Sequence, residues 1–169
     1  FRDHGTSEPY NLDLHRVINA LEQKTGEKWI MFTTLHHNFV HFAGPNCKYD
    51  DVIWDMTKYS DLHELFLIVD LAITDYSSVS LDFANTGRPV ILYASDIENY
   101  KKLRGLKPMF FKYPFPLATT NDEMEQAILN FDMKVYKKKL EQFKMIYGSV
   151  DDGHASERFV ERLKEIIEK

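Results

Sequence analysis

One cysteine, Cys47, stands among 169 residues. A lone thiol cannot form an internal disulfide, so the fold must rest on its apolar core, and a reducing compartment suits it. No apolar run approaches the roughly 18 residues of a membrane span, and no stretch resembles a signal peptide. Basic charge is not in excess: 21 Lys and Arg face 26 Asp and Glu, a net −5. That balance argues against nucleic acid as a partner. Internal repeats, low-complexity tracts and a Gly-rich phosphate loop are all missing. His36, His37 and His41 fall close together, but their spacing at a strand end matches no metal-ligand pattern, so no metal or other cofactor is expected. The chain also lacks an initiator Met, beginning at Phe1, so a fragment of a larger protein is expected.

What is present suits one ordinary domain spanning 1–169, with 44% hydrophobic and 14% aromatic residues for its core. Leu14, Val17, Ile18 and Leu21 recur at helical spacing, predicting a helix over 11–24 that Gly26 ends. Short apolar strands are predicted at 29–33, 52–54, 71–74 and 90–93. Between them, Ser60 is placed to cap a helix whose inner face is Leu62, Leu65, Phe66 and Val69, and 77–86 reads as another helix. Thr120 and Glu123 have capping-box spacing, and two more helices follow at about 133–147 and 155–168. Short apolar strands alternating with helices predict an α/β fold, a Rossmann-like parallel sheet with helices on both faces.

Ligands of such sheets bind beyond the carboxyl ends of the strands. The strand Leu71–Thr74 stops abruptly at Asp75–Tyr76–Ser77–Ser78, where a helix begins. Unpaired N–H groups there, with the hydroxyls of Ser77 and Ser78, would seat a phosphate. Capping of the helix by Asp75 or Ser77 explains the same residues equally well. Asp75 itself would repel phosphate and is assigned to structure.

The stretch SDLHELFLIVDLAITDYSSVSLDFANTGRPVILYASDIENYKKLRG (60–105) resembles the CDP-glycerol glycerophosphotransferases that build teichoic-acid and capsular polymers. In register with that family are Ile73 to Ser78, Asp82–Phe83–Ala84, Arg88–Pro89, Tyr93 with Asp96, and Arg104–Gly105. The closing DDGHASERFVERL (151–163) and the opening Phe1–Arg2–Asp3 are similar as well, so the resemblance spans the chain. It implies the carboxyl-terminal, donor-binding half of a GT-B fold. The implied reaction moves glycerol phosphate, or a related polyol phosphate, from CDP to a growing polymer and releases CMP. A CDP-glycerol or similar CDP-polyol donor, a lipid-linked polymer acceptor and an amino-terminal GT-B domain are the implied partners. The full-length enzyme would be cytoplasmic, peripheral at the inner face of the membrane.

The resemblance places His36 at the diphosphate as the catalytic histidine, and a near-neutral imidazole suits proton transfer. Thr34 stands where the family usually has Lys or Arg, and His37 where it has Pro or an aromatic residue. Thr74, Ser77, Ser78, Arg104, Ser156 and Arg158 are the implied donor-binding residues. Arg104 beside a turn glycine also reads as a solvated arginine, and Ser156 with Arg158 as the start of a capped surface helix. The aromatic residues Phe110, Phe111, Tyr113 and Phe115 suit core or interdomain packing, with apolar surface exposed around 109–116. Two rival readings share the fold: a GT-B domain for a nucleotide sugar, and a nucleotide-binding module without catalysis.

Overall fold

A computed structural model describes residues 11–34 and 49–168. Five short strands and seven α-helices alternate along them. Helix α1 (Leu14–Thr25) precedes β1 (Met31–Thr33) and β2 (Ile53–Asp55). Next come α2 (Leu62–Ile68), β3 (Ala72–Thr74), α3 (Val79–Ala84), β4 (Val90–Tyr93) and α4 (Ile97–Arg104). A 3-10 turn (Pro108–Lys112), β5 (Leu117–Ala118), α5 (Asn121–Leu129), α6 (Met133–Tyr147) and α7 (Ala155–Ile167) complete the order. All pairings are parallel: β1 with β2, and β3 with β4 with β5. The parallel α/β arrangement expected from the sequence is therefore present.

Strand β4 shows why the sheet is covered twice. Successive strand side chains point to opposite faces, and all four residues of β4 are buried. Ile91 and Tyr93 join Val17, Ala20, Leu21, Met124 and Ile128 in a core under α1 and α5. Val90 and Leu92 join Phe66, Phe83, Tyr136 and Leu140 in a second core, under α2, α3 and α6. Each such fully buried aliphatic side chain contributes about 1.5–3 kcal/mol. Met31 of β1 and Ile73 of β3 pack against the α1–α5 core, so both sets of strands share that face.

Local chemistry sets the helix ends. Asp13 caps α1 by accepting from the Arg16 N–H, and Gly26, at φ 76°, closes it in the left-handed region. The cap of α2 is Asp61 and not Ser60: its carboxylate accepts from the N–H groups of His63 and Glu64. At α5 the Thr120 hydroxyl accepts from the Glu123 N–H. The Glu123 carboxylate reaches back to the N–H and hydroxyl of Thr119, each at 2.7 Å, one residue before the usual capping-box partner. Those bonds, the hydroxyl's foremost, hold its carboxyl below the ordinary carboxylate range.

Candidate functional site at the strand ends

Parallel pairing sends the carboxyl ends of β3, β4 and β5 to one edge. There the chain leaves Thr74, Tyr93 and Ala118 into polar turns: Asp75–Ser78, Ser95–Asp96 and Thr119–Thr120. A depression of about 400 Å³ lies between the second and third turns, lined by Ser95, Asp96, Glu98, Asn99, Thr119 and Thr120. Hydroxyl and amide groups on this edge can donate and accept hydrogen bonds, whereas the carboxylates of Asp96 and Glu98 can only accept them when ionised. A more enclosed hollow, about 270 Å³, opens elsewhere, beside Leu81, Met109, Leu140 and Phe143. Its mainly apolar walls suit packing better than phosphate chemistry.

The turn after β3 treats its two serines differently. Ser77 accepts from the Val79 N–H at 3.3 Å, and its carbonyl accepts from the buried Ser80 hydroxyl at 2.9 Å. Ser78 makes no capping hydrogen bond with its side chain and is exposed. Thus one hydroxyl is tied to the local backbone while the next is presented outward. Helix α3 has six residues, shorter than the 77–86 expected. Its dipole is correspondingly slight, so hydroxyl donors must supply most of any attraction for an anion at this turn.

Tyr76 anchors the same turn. Its ring stacks on Tyr100, centroids 3.7 Å apart and planes 18° from parallel, and tilts against Phe110 at 5.6 Å. Its hydroxyl donates to Asp96 Oδ1 at 2.9 Å. In the sequence Tyr76 and Asp96 stand out only as motif positions, with no role attached to either. Both lie in the motifs that carry the family resemblance, but nothing in the sequence pairs a tyrosine with an aspartate 20 residues on at a neighbouring strand end.

The other expected site residues are dispersed. Thr74, half-buried, ends β3 beside the two serines. Arg104 is exposed at the last position of α4, a helix that starts at Ile97, just after Asp96, and is about 12 Å long at the usual rise per residue. Ser156 and Arg158 lie in the first turns of α7, which buries none of its side chains. The Arg158 guanidinium donates to both Asp152 oxygens at 2.8 Å and holds that carboxyl below its usual range. His36 lies outside the described residues, as do His37 and His41. Among the described residues, no three His, Cys, Asp or Glu side chains gather as a metal site, and no helix is long and apolar enough to cross a membrane.

Comparison with known proteins adds a second kind of observation. Residues 1–165 match the family described as CDP-Glycerol:Poly(glycerophosphate) glycerophosphotransferase. The chain is 36% identical over 160 residues to a teichoic acid poly(glycerol phosphate) polymerase of Bacillus subtilis, which covers 89% of this chain and 21% of that protein. It is 30% identical over 158 residues to a teichoic acid glycerol-phosphate transferase of Staphylococcus aureus, covering 91% of this chain and 40% of that one. A solved structure of the wall teichoic acid polymerase TagF superposes with a TM-score of 0.70 at 29% identity, covering 99% of this chain and 41% of the other. A TagF variant soaked with CDPG is also similar, with a TM-score of 0.66 at 30% identity, over 90% of this chain and 39% of the other. The chain thus spans between a fifth and two fifths of these relatives.

Proposed function

Because the chain belongs to the CDP-glycerol:poly(glycerophosphate) glycerophosphotransferase family, we propose that it forms the donor-binding half of an enzyme that extends a teichoic-acid-like polymer. The carrying observation is the hydroxyl-rich edge at the ends of β3, β4 and β5, with Ser78 presented outward from the turn after β3. The donor is CDP-glycerol or another CDP-polyol. Its diphosphate lies against Thr74, Ser77 and Ser78; Arg104, Ser156 and Arg158, which stand apart from that turn in the isolated chain, remain part of the reading only through the family resemblance. An acceptor hydroxyl attacks the β-phosphorus. As the new O–P bond forms, the bond from that phosphorus to the bridging oxygen breaks, and CMP leaves with the electron pair. His36 takes the proton of the attacking hydroxyl. Phosphoryl chemistry of this kind depends mainly on positioning and charge stabilisation, and hydroxyl donors supply both. The acceptor, a lipid-linked polymer end, belongs on an amino-terminal partner domain, which keeps the enzyme at the inner face of the membrane.

In the full-length enzyme, His36→Ala is expected to lower CMP release from CDP-glycerol by about 10²-fold or more, the range of general acid–base catalysis, with little change in melting. A near-normal rate would remove His36 from the mechanism. Parallel melting scans with CDP-glycerol, CDP-ribitol and UDP-sugars test the donor class, since a ligand of the folded state raises its stability. Stabilisation by UDP-sugars alone would overturn the CDP-polyol assignment.

A further inference from the structure

Asp96 occupies the N-cap position of α4 yet makes no capping hydrogen bond with its side chain. An aspartate there ordinarily accepts from the first N–H groups of its helix. Instead, Oδ1 takes the Tyr76 hydroxyl at 2.9 Å. The bond links two adjacent strand-end turns, one after β3 and one after β4. The Tyr76 ring is fixed on its other side by the stack with Tyr100, a residue of α4 itself. One tyrosine is therefore held to α4 at two points, and the next two residues in the chain are Ser77 and Ser78. Backbone torsions at Tyr76 set where those serines sit, so what fixes Tyr76 fixes them.

We infer that Tyr76 and Asp96 form a positioning pair, holding the Ser77–Ser78 turn where its hydroxyls meet the diphosphate of a CDP-linked donor. The inference rests on the donor-binding reading of that turn. Neither side chain needs to touch the reacting atoms. The pair requires a hydrogen-bond acceptor at residue 96 and a hydroxyl at residue 76, and it does not require negative charge. A carboxylate facing a diphosphate would on its own repel it, and the tyrosine hydroxyl occupies one of its oxygens. The ring stack alone would keep the turn near its place but leave rotation about the Tyr76 ring plane unchecked.

Steady-state kinetics of the full-length enzyme with CDP-glycerol test this through five variants. Tyr76→Phe keeps the stack and removes the hydroxyl. Asp96→Ala removes the acceptor, and Asp96→Asn keeps an acceptor oxygen without the charge. Tyr76→Phe and Asp96→Ala are each expected to raise the donor KM about tenfold, the size of one lost hydrogen bond, with kcat within about twofold. Asp96→Asn is expected to stay close to the parent. The combined Tyr76→Phe, Asp96→Ala variant should be no worse than either alone, the mark of one shared interaction. Additive losses, an unchanged KM in both single variants, or a lowered melting temperature with normal KM would each overturn the pairing. The Ser77→Ala, Ser78→Ala double variant separates the two layers. If it raises KM while the pair variants do not, the positioning role fails and the donor seat stands. If it leaves KM unchanged, the donor seat fails, and the positioning role with it.

Discussion

Arg88 illustrates how a single side chain in the middle of a family motif can be wholly structural. Its guanidinium donates to the carbonyls of Phe66 and Val69 at the end of α2, and it lies 5.1 Å over the Phe83 ring. Its Nε also donates to the Thr86 hydroxyl at 3.2 Å, and its own carbonyl accepts from Tyr136 at 2.9 Å. Cationic groups belong at helix C-termini, where carbonyls lack intrahelical partners. Lysine presents a point charge and cannot reach two carbonyls in a planar fork. Arg88→Lys is therefore expected to cost about 1–3 kcal/mol, the range for charged hydrogen bonds, in urea unfolding. Donor affinity of the folded fraction should stay unchanged, and a selective loss of affinity would instead place Arg88 at the ligand. Burial pushes the Tyr136 hydroxyl up to about 12, so it remains the donor in this cluster at any physiological pH.

Among the elements, α7 behaves unlike the rest. Phe159, Val160, Leu163, Ile166 and Ile167 line one face, yet none is buried among the described residues. A helix of 13 residues is marginal in water without packing. In native-state hydrogen exchange on the 169-residue chain, its amides should exchange far faster than those of β4. Equal protection would mean that α7 packs on something in the isolated chain. Helix α1 was legible from apolar spacing to within about three residues, and the expected bounds of α6 and β4 match those found. Not legible were β5, whose two residues become a strand only by pairing with Leu92 and Tyr93, and α4, which buries only Ile97. Apolar exposure was expected around 109–116, but Phe110 and Phe115 are buried and Phe111 alone of the aromatic run stands out, 55% exposed. The edge carrying the candidate site was readable as a strand end rich in hydroxyls. The division of labour between Ser77 and Ser78 was not, because it depends on backbone geometry that two adjacent serines do not reveal. The Tyr76–Asp96 bond was hidden for a related reason, since it joins turns that only the β3–β4 pairing brings side by side.

For the molecule as a whole, a donor site and an acceptor site must be held in one geometry before transfer can occur, an effect worth about 7–11 kcal/mol when complete. Chain 1–169 by itself should therefore bind CDP-glycerol yet release no acceptor-dependent CMP when mixed with a lipid-linked acceptor. Robust release would locate the acceptor site within these residues. The pairing of α1 with α5 has a consequence for how this molecule comes into being. Arg16 meets Asp122 and Glu125, Asn11 and Asn121 join their segments, and Lys24 donates to the Leu129 carbonyl, contacts more than 100 residues apart in the chain. At a synthesis rate of roughly 5–20 residues per second, about 5–20 s pass between the emergence of the two helices from the ribosome. Throughout that interval Val17, Ile18 and Leu21 have no lid over them, and one of the two cores can close only once α5 has left the exit tunnel. The nascent chain thus passes through a stage in which the apolar stripe of α1 stands uncovered, the state that holdase chaperones are built to shield.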